Sequence, residues 1–169
     1  KTLFSKIVDK FHNKDIKIAW LGDFNGSYLY ENEIKEICEK FLQNLENSQF
    51  NIECLIPKFP SEMIWESWIN LRSLILKKDL SDIIKDKNKA SYLKPEIQWE
   101  IERAISISDL DFEDAISKRE QWNIYINSLF TKFDLLALPS TQVFPFYERI
   151  KYPKEINGKK MDTYHRWIE

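Results

Sequence analysis

Apolar positions along the 169-residue chain keep two rhythms, a short alternation and a helical repeat. Ile16 to Leu21 alternates and then becomes wholly apolar, which predicts a strand ended by Gly22-Asp23. From Glu33 to about Glu46, residues Ile34, Ile37, Cys38, Phe41, Leu42 and Leu45 recur at the spacing of one buried helix stripe. Asn32 is the expected N-cap, and Glu33 and Glu36 suit the positive end of the helix dipole. Ile52, Cys54 and Ile56 then alternate along a second strand, stopped by Pro57. Strand, helix and strand within about forty residues make a βαβ unit, with parallel strands and a right-handed crossover.

Pro60-Ser61 opens a second helix with Ser61 as N-cap; its wide apolar face includes Ile64, Trp65, Trp68, Ile69, Leu71 and Ile75 and calls for heavy cover. The lysine-rich run from Lys85 to Ala90 reads as a solvated loop. Pro95 fits the first turn of a third helix carrying Ile97, Ile101, Ala104 and Ile105. Asp109 or Asp111 caps the longest helix, which runs to about Lys132 and spans about 30 Å if continuous. Its stripe is Phe112, Ala115, Ile116, Trp122, Ile126, Leu129, Phe130 and Phe133. The run Phe133 to Leu138, closed by Pro139, predicts a strand buried on both faces, with the hydroxyls of Ser140 and Thr141 just beyond it and facing a cleft. Prolines interrupt the aromatic tail from Gln142 to Tyr152, Ile156-Asn157-Gly158-Lys159 is a tight turn, and Met161 to Trp167 starts another helix with Asp162 as cap. The fold class is α/β, with a βαβ unit, several long helices and a later buried strand, and no internal linker or repeat.

Composition supports a folded chain: 43% hydrophobic and 14% aromatic residues are the make-up of a globular core rather than a disordered segment. With 25 basic against 27 acidic side chains, there is no electrostatic case for nucleic acid or an anionic membrane as partner. No apolar run approaches the roughly 20 residues needed to span a bilayer, and Lys1-Thr2-Leu3-Phe4 lacks the apolar core of a signal peptide. Cys38 and Cys54 are read as buried free thiols in a reducing, cytoplasmic setting. The missing initial methionine and the abrupt Trp167-Ile168-Glu169 end are read as the marks of a partial domain, truncated on both sides.

No self-sufficient active site emerges from the residues. Ser140, His165 and Asp162 supply the residue types of a serine triad, but the serine lacks a nucleophile-elbow context and the other two sit three apart on one expected helix. His12 and His165 have no metal-ligand spacing, so neither a metal nor another cofactor is expected. Gly22-Asp23-Phe24-Asn25-Gly26 lacks the spacing of a phosphate loop and reads as a turn. Glu100, Glu102, Asp109 and Asp111 are read as helix-surface or capping carboxylates. Arg119 is the exception, because the helical period places it inside the apolar stripe, where a guanidinium cannot shed its charge. Either its stem snorkels or pairs with a carboxylate, or it reaches a pocket near Pro139 to hold a carboxylate or carbonyl.

The run Phe133-Asp134-Leu135-Leu136-Ala137-Leu138-Pro139-Ser140-Thr141 resembles the strand and loop of the amidase signature family: an aromatic, an aspartate, apolar residues, then proline and threonines. The stretch from Ile18 to Leu45, Ile64 to Arg72 and the segment Ile156 to Glu169 are similar to further parts of that family, in the same order. The resemblance implies an α/β/α mixed-sheet fold and hydrolysis of carboxamide C–N bonds through a serine acyl-enzyme. The family's lysine and two serines lie N-terminal to the matching region, and this chain has no Gly-Gly-Ser-Ser-Gly run. It therefore implies an amidase segment inactive on its own, with a small-molecule amide as substrate of the longer protein. By the same resemblance Ser140 and Thr141 border the substrate cleft, with serine replacing the family's first threonine, and Arg119 stands where the amidotransferase branch holds substrate. The alternative is a non-catalytic α/β interaction module. An amidase segment should expose apolar strand faces or cover them by forming a homo-oligomer.

Overall fold

The computed structural model describes residues 16–169, so His12 and the Lys1–Phe4 start lie outside the described residues. The chain divides into two compact units: a sheet unit, made of residues up to Lys58 together with Ile126–Glu169, and a helical unit, Phe59–Tyr125.

In the sheet unit, β1 (Lys17–Trp20), α1 (Ile34–Asn47) and β2 (Asn51–Cys54) form the expected strand–helix–strand unit, and β1 and β2 are parallel. The third strand, β3 (Leu135–Ala137), joins the other side of β1, also parallel, giving the order β2-β1-β3. The central place of β1 explains its wholly apolar end, because Ile18, Ala19, Trp20 and Leu21 are all buried. Asp134 anchors the far strand twice: its N–H donates to the Lys17 carbonyl at 2.9 Å, and its carboxylate accepts the Lys17 N–H at 2.8 Å. Among the described residues both flanking strands are edges. That corrects two expectations: Cys54 on β2 is exposed and Cys38 only half-buried, and β3 is not covered on both faces, with Leu135 50% exposed. Only Ile34 and Leu42 of the predicted α1 stripe are buried, while Ile37 and Phe41 stand open beside the sheet. Asn32 does not cap this helix. Glu33 does, in a left-handed conformation with φ 74° and no side-chain cap.

The chain's end adds a small hairpin, β4 (Glu155–Ile156) and β5 (Lys159–Lys160), turned by Asn157 and Gly158 at φ 47° and 81°. Two positive φ values in a two-residue loop are what an Asn-Gly pair supplies. The helix expected from Met161 is instead a single 3₁₀ turn, Arg166–Ile168, whose Arg166 guanidinium is held by Asp162 and Glu169.

The helical unit is built on α2 (Ser61–Asp79), which packs against α5 (Pro95–Ser106). Pro60 rather than Ser61 occupies the N-cap of α2. Trp65, Ile69 and Leu71 of α2 and Ile101 and Ala104 of α5 are buried, whereas Trp68 and Ile75 stay exposed. Between them the lysine-rich run is not a loop but two short helices, α3 (Ser81–Lys85) and α4 (Lys87–Ala90), neither with a buried residue. Asp86 makes the second turn possible by accepting the N–H groups of Asn88 and Lys89. The long helix α6 (Asp109–Phe130) is continuous over 22 residues, and its end from Ile126 belongs to the sheet unit. Its cap is Ser108, not either aspartate. The Ser108 hydroxyl accepts the Asp111 N–H while the Asp111 carboxylate accepts the Ser108 N–H at 2.9 Å, a reciprocal capping box.

Candidate functional site

The loop after β3 is fixed by a buried glutamine rather than by its hydroxyls. Gln142 is 4% exposed, and its backbone carbonyl and both ends of its side-chain amide are hydrogen-bonded. Its carbonyl accepts the Glu31 N–H at 2.8 Å, its amide nitrogen donates to the Leu29 carbonyl at 2.9 Å, and its amide oxygen accepts the Glu169 N–H at 2.9 Å. Glu31 returns the contact by accepting the Phe144 N–H at 2.7 Å. Asn157 of the hairpin donates to the Tyr30 carbonyl. One polar cluster thus ties the loop, the segment before α1 and the chain's last residues together. Periodicity gives no sign of Gln142; the only signal is a lone amide in an apolar and aromatic stretch.

On this scaffold Pro139 is buried, and Ser140 and Thr141 are exposed. The Thr141 hydroxyl turns back on its own backbone, donating to the Val143 carbonyl at 3.0 Å. Ser140 makes no hydrogen bond among the described residues. Asp162 pairs with Arg166 at 3.5 Å, and His165 is buried against the Tyr164 ring at 3.6 Å. The three triad residue types are therefore not assembled, and this loop positions hydroxyls without activating one. Among the described residues no group of three His, Cys, Asp or Glu side chains is placed to hold a metal ion.

The charged groups nearby serve the fold. Asp23 accepts the Lys35 ammonium at 2.7 Å and the Gly26 N–H at 2.9 Å, and the Lys35 hydrogen bond holds its carboxyl below the ordinary value. The same bond raises the Lys35 pKa. This settles the Gly22–Gly26 stretch as a turn, whose side-chain acceptor is spent on its own backbone and on α1. Burial pushes the Tyr30 phenol up to about 12, with the Asp23 charge adding to the effect. Burial also raises the Cys38 thiol, which keeps it in the unreactive protonated form.

Arg119 is in the helical unit, and Ser140 and Thr141 are in the sheet unit. The stripe expectation fails for Arg119, whose side chain is exposed. It lines a cavity of the helical unit together with Trp122 and Ile64. The charge that is buried in this unit is Glu100, read from the sequence as a surface carboxylate. It is 0% exposed and accepts Arg72 Nε at 2.9 Å and the Ser73 hydroxyl. Arg72 in turn lies over the Trp68 ring at 5.4 Å. A glutamate on the inner face of an otherwise apolar helix, opposite an arginine and a serine one residue apart, is the pattern that could have revealed this pair.

No protein-family model matches the chain, and no curated protein matches it. The fold has a clear likeness among solved structures. A bacterial aryl acylamidase of the amidase signature enzymes superposes with a TM-score of 0.83 over 99% of this chain, at 17% identity. The chain spans 36% of that enzyme's length. At that identity the likeness is one of fold: a parallel sheet with several long helices, as part of an amidase signature architecture.

Proposed function

We propose that this chain is part of an amidase-type hydrolase that cleaves carboxamide C–N bonds through a serine acyl-enzyme, with the catalytic lysine and serines outside it. The observation that carries this reading is the fold likeness to an aryl acylamidase over 99% of the chain. The resemblance of Phe133–Thr141 to the family's loop supports it independently. In this reading the Gln142 cluster holds Ser140 and Thr141 at the border of the substrate cleft, and neither is the nucleophile. The open apolar side of the sheet fits a domain whose remaining part covers it.

Fluorophosphonate labelling read by intact mass tests the reading, on this chain and on the polypeptide from its natural source. The expected result is one adduct on a longer natural polypeptide and none on the 169-residue chain. An adduct on the chain itself would overturn the placement of the nucleophile and make Ser140 its first suspect. No adduct on either, with a natural mass equal to this chain, would point to a non-catalytic interaction module.

A further inference from the structure

The helical unit contains a half-open cavity of about 450 Å³. That volume lies in the roughly 300–1,000 Å³ range of small-molecule pockets. Its walls combine two tryptophans, Trp68 and Trp122, with the aliphatic Leu71 and Ile75 and two arginines, Arg72 and Arg119. Among the described residues no carboxylate lines it. The two arginines differ. The Arg72 charge is balanced by the fully buried Glu100 behind the wall. Arg119 has no ion pair among the described residues. On the neighbouring turns Glu66 and Asp114 are engaged by the Lys118 ammonium, and Glu120, next in sequence, does not line the cavity.

The cavity therefore carries one net positive charge on a largely apolar, aromatic wall. An arginine keeps that charge at any physiological pH and presents a fork that matches a carboxylate. We propose that this cavity binds an amphiphilic monocarboxylate, with its apolar body against Trp68, Trp122 and Ile75 and its head group on Arg119. A cation is repelled by both guanidiniums. A neutral hydrocarbon gains the walls but forgoes the charge. A polyanion finds only one uncompensated partner. The proposal does not depend on the amidase reading.

Decanoate is the probe, titrated into the 169-residue chain by calorimetry and by tryptophan fluorescence. Saturable binding of one decanoate per chain is expected, with a change in indole emission. Arg119→Gln, a change at an exposed position, should weaken decanoate about tenfold, the loss typical of one charge-assisted contact, and leave decanol unchanged. Phe41→Ser, on the sheet unit's own apolar face, should leave decanoate affinity as it is. The proposal is overturned if decanoate does not saturate. It is equally overturned if Arg119→Gln binds decanoate as the parent does, or if Phe41→Ser abolishes binding.

Discussion

Glu100 is a carboxylate with no surface in water, and Arg72 Nε at 2.9 Å and the Ser73 hydroxyl are among the groups that replace its lost hydration. Removing the arginine alone takes the ion pair away from a buried charge. Arg72→Leu should therefore destabilise the chain by about 3 kcal/mol in urea unfolding, the low end for a buried pair because Arg72 is itself about a third exposed. Glu100→Gln placed on the same background should restore most of that loss, because a neutral amide still bonds Ser73 without needing a counter-charge. Tyr30 makes the opposite kind of prediction. Its phenol is pushed up to about 12 by burial, so above pH 10 the unfolded chain releases a proton that the folded one retains. Folded chains then hold more protons than unfolded ones, and stability falls as pH rises between those two values. Tyr30→Phe should flatten that alkaline limb in melts followed across the same window, and should remove the latest step of the 295 nm phenolate titration.

At the scale of elements, the capping box that starts α6 sets where the longest helix begins. Ser108→Ala removes the acceptor for the Asp111 N–H and should cost about 1 kcal/mol, seen as a melting temperature lower by about 2–4 °C. The existence and type of the main elements were legible because each apolar run carried its own period: β1, α1, α2, α5 and α6 all stand where the pattern places them. Their ends were less so. Ser108, Pro60 and Glu33 hold the cap positions expected of Asp109 or Asp111, Ser61 and Asn32, because a cap is chosen by backbone geometry one residue wide while the stripe fixes only the turn. The lysine-rich run folded into α3 and α4 through the Asp86 side chain, a local bond that composition does not reveal. The site was partly legible. The Pro139–Thr141 loop sits at the end of a strand as read, whereas Gln142 and Glu100 act through partners 113 and 28 positions away in sequence. No periodic rule links residues at those separations.

At the scale of the whole chain, one departure of burial from the apolar pattern lies on one side of the sheet. Parallel strands are ordinarily covered on both faces, and the sequence of β3 is written for that environment. Yet Leu135 is 50% and Leu138 45% exposed, and on the facing helix Ile37 is 52% and Phe41 60% exposed. With Trp20 they bound an open apolar trough of about 540 Å³ within the sheet unit. An exposed apolar surface of this kind is an interaction site or an aggregation liability in a chain left by itself. The isolated 169-residue chain should therefore bind the dye 8-anilinonaphthalene-1-sulfonate in this trough. The paired change Phe41→Ser and Leu138→Ser should cut the dye signal to less than about half with little change in far-UV circular dichroism, because both side chains are exposed, Phe41 by 60% and Leu138 by 45%. A longer natural polypeptide of the amidase type should bind the dye weakly from the outset, its own remaining strands and helices occupying the trough. Strong dye binding by that longer polypeptide, reduced by the same two substitutions, would show that the trough faces a separate partner instead, and would shift the reading of this chain from a catalytic domain's inner layer to an interaction surface.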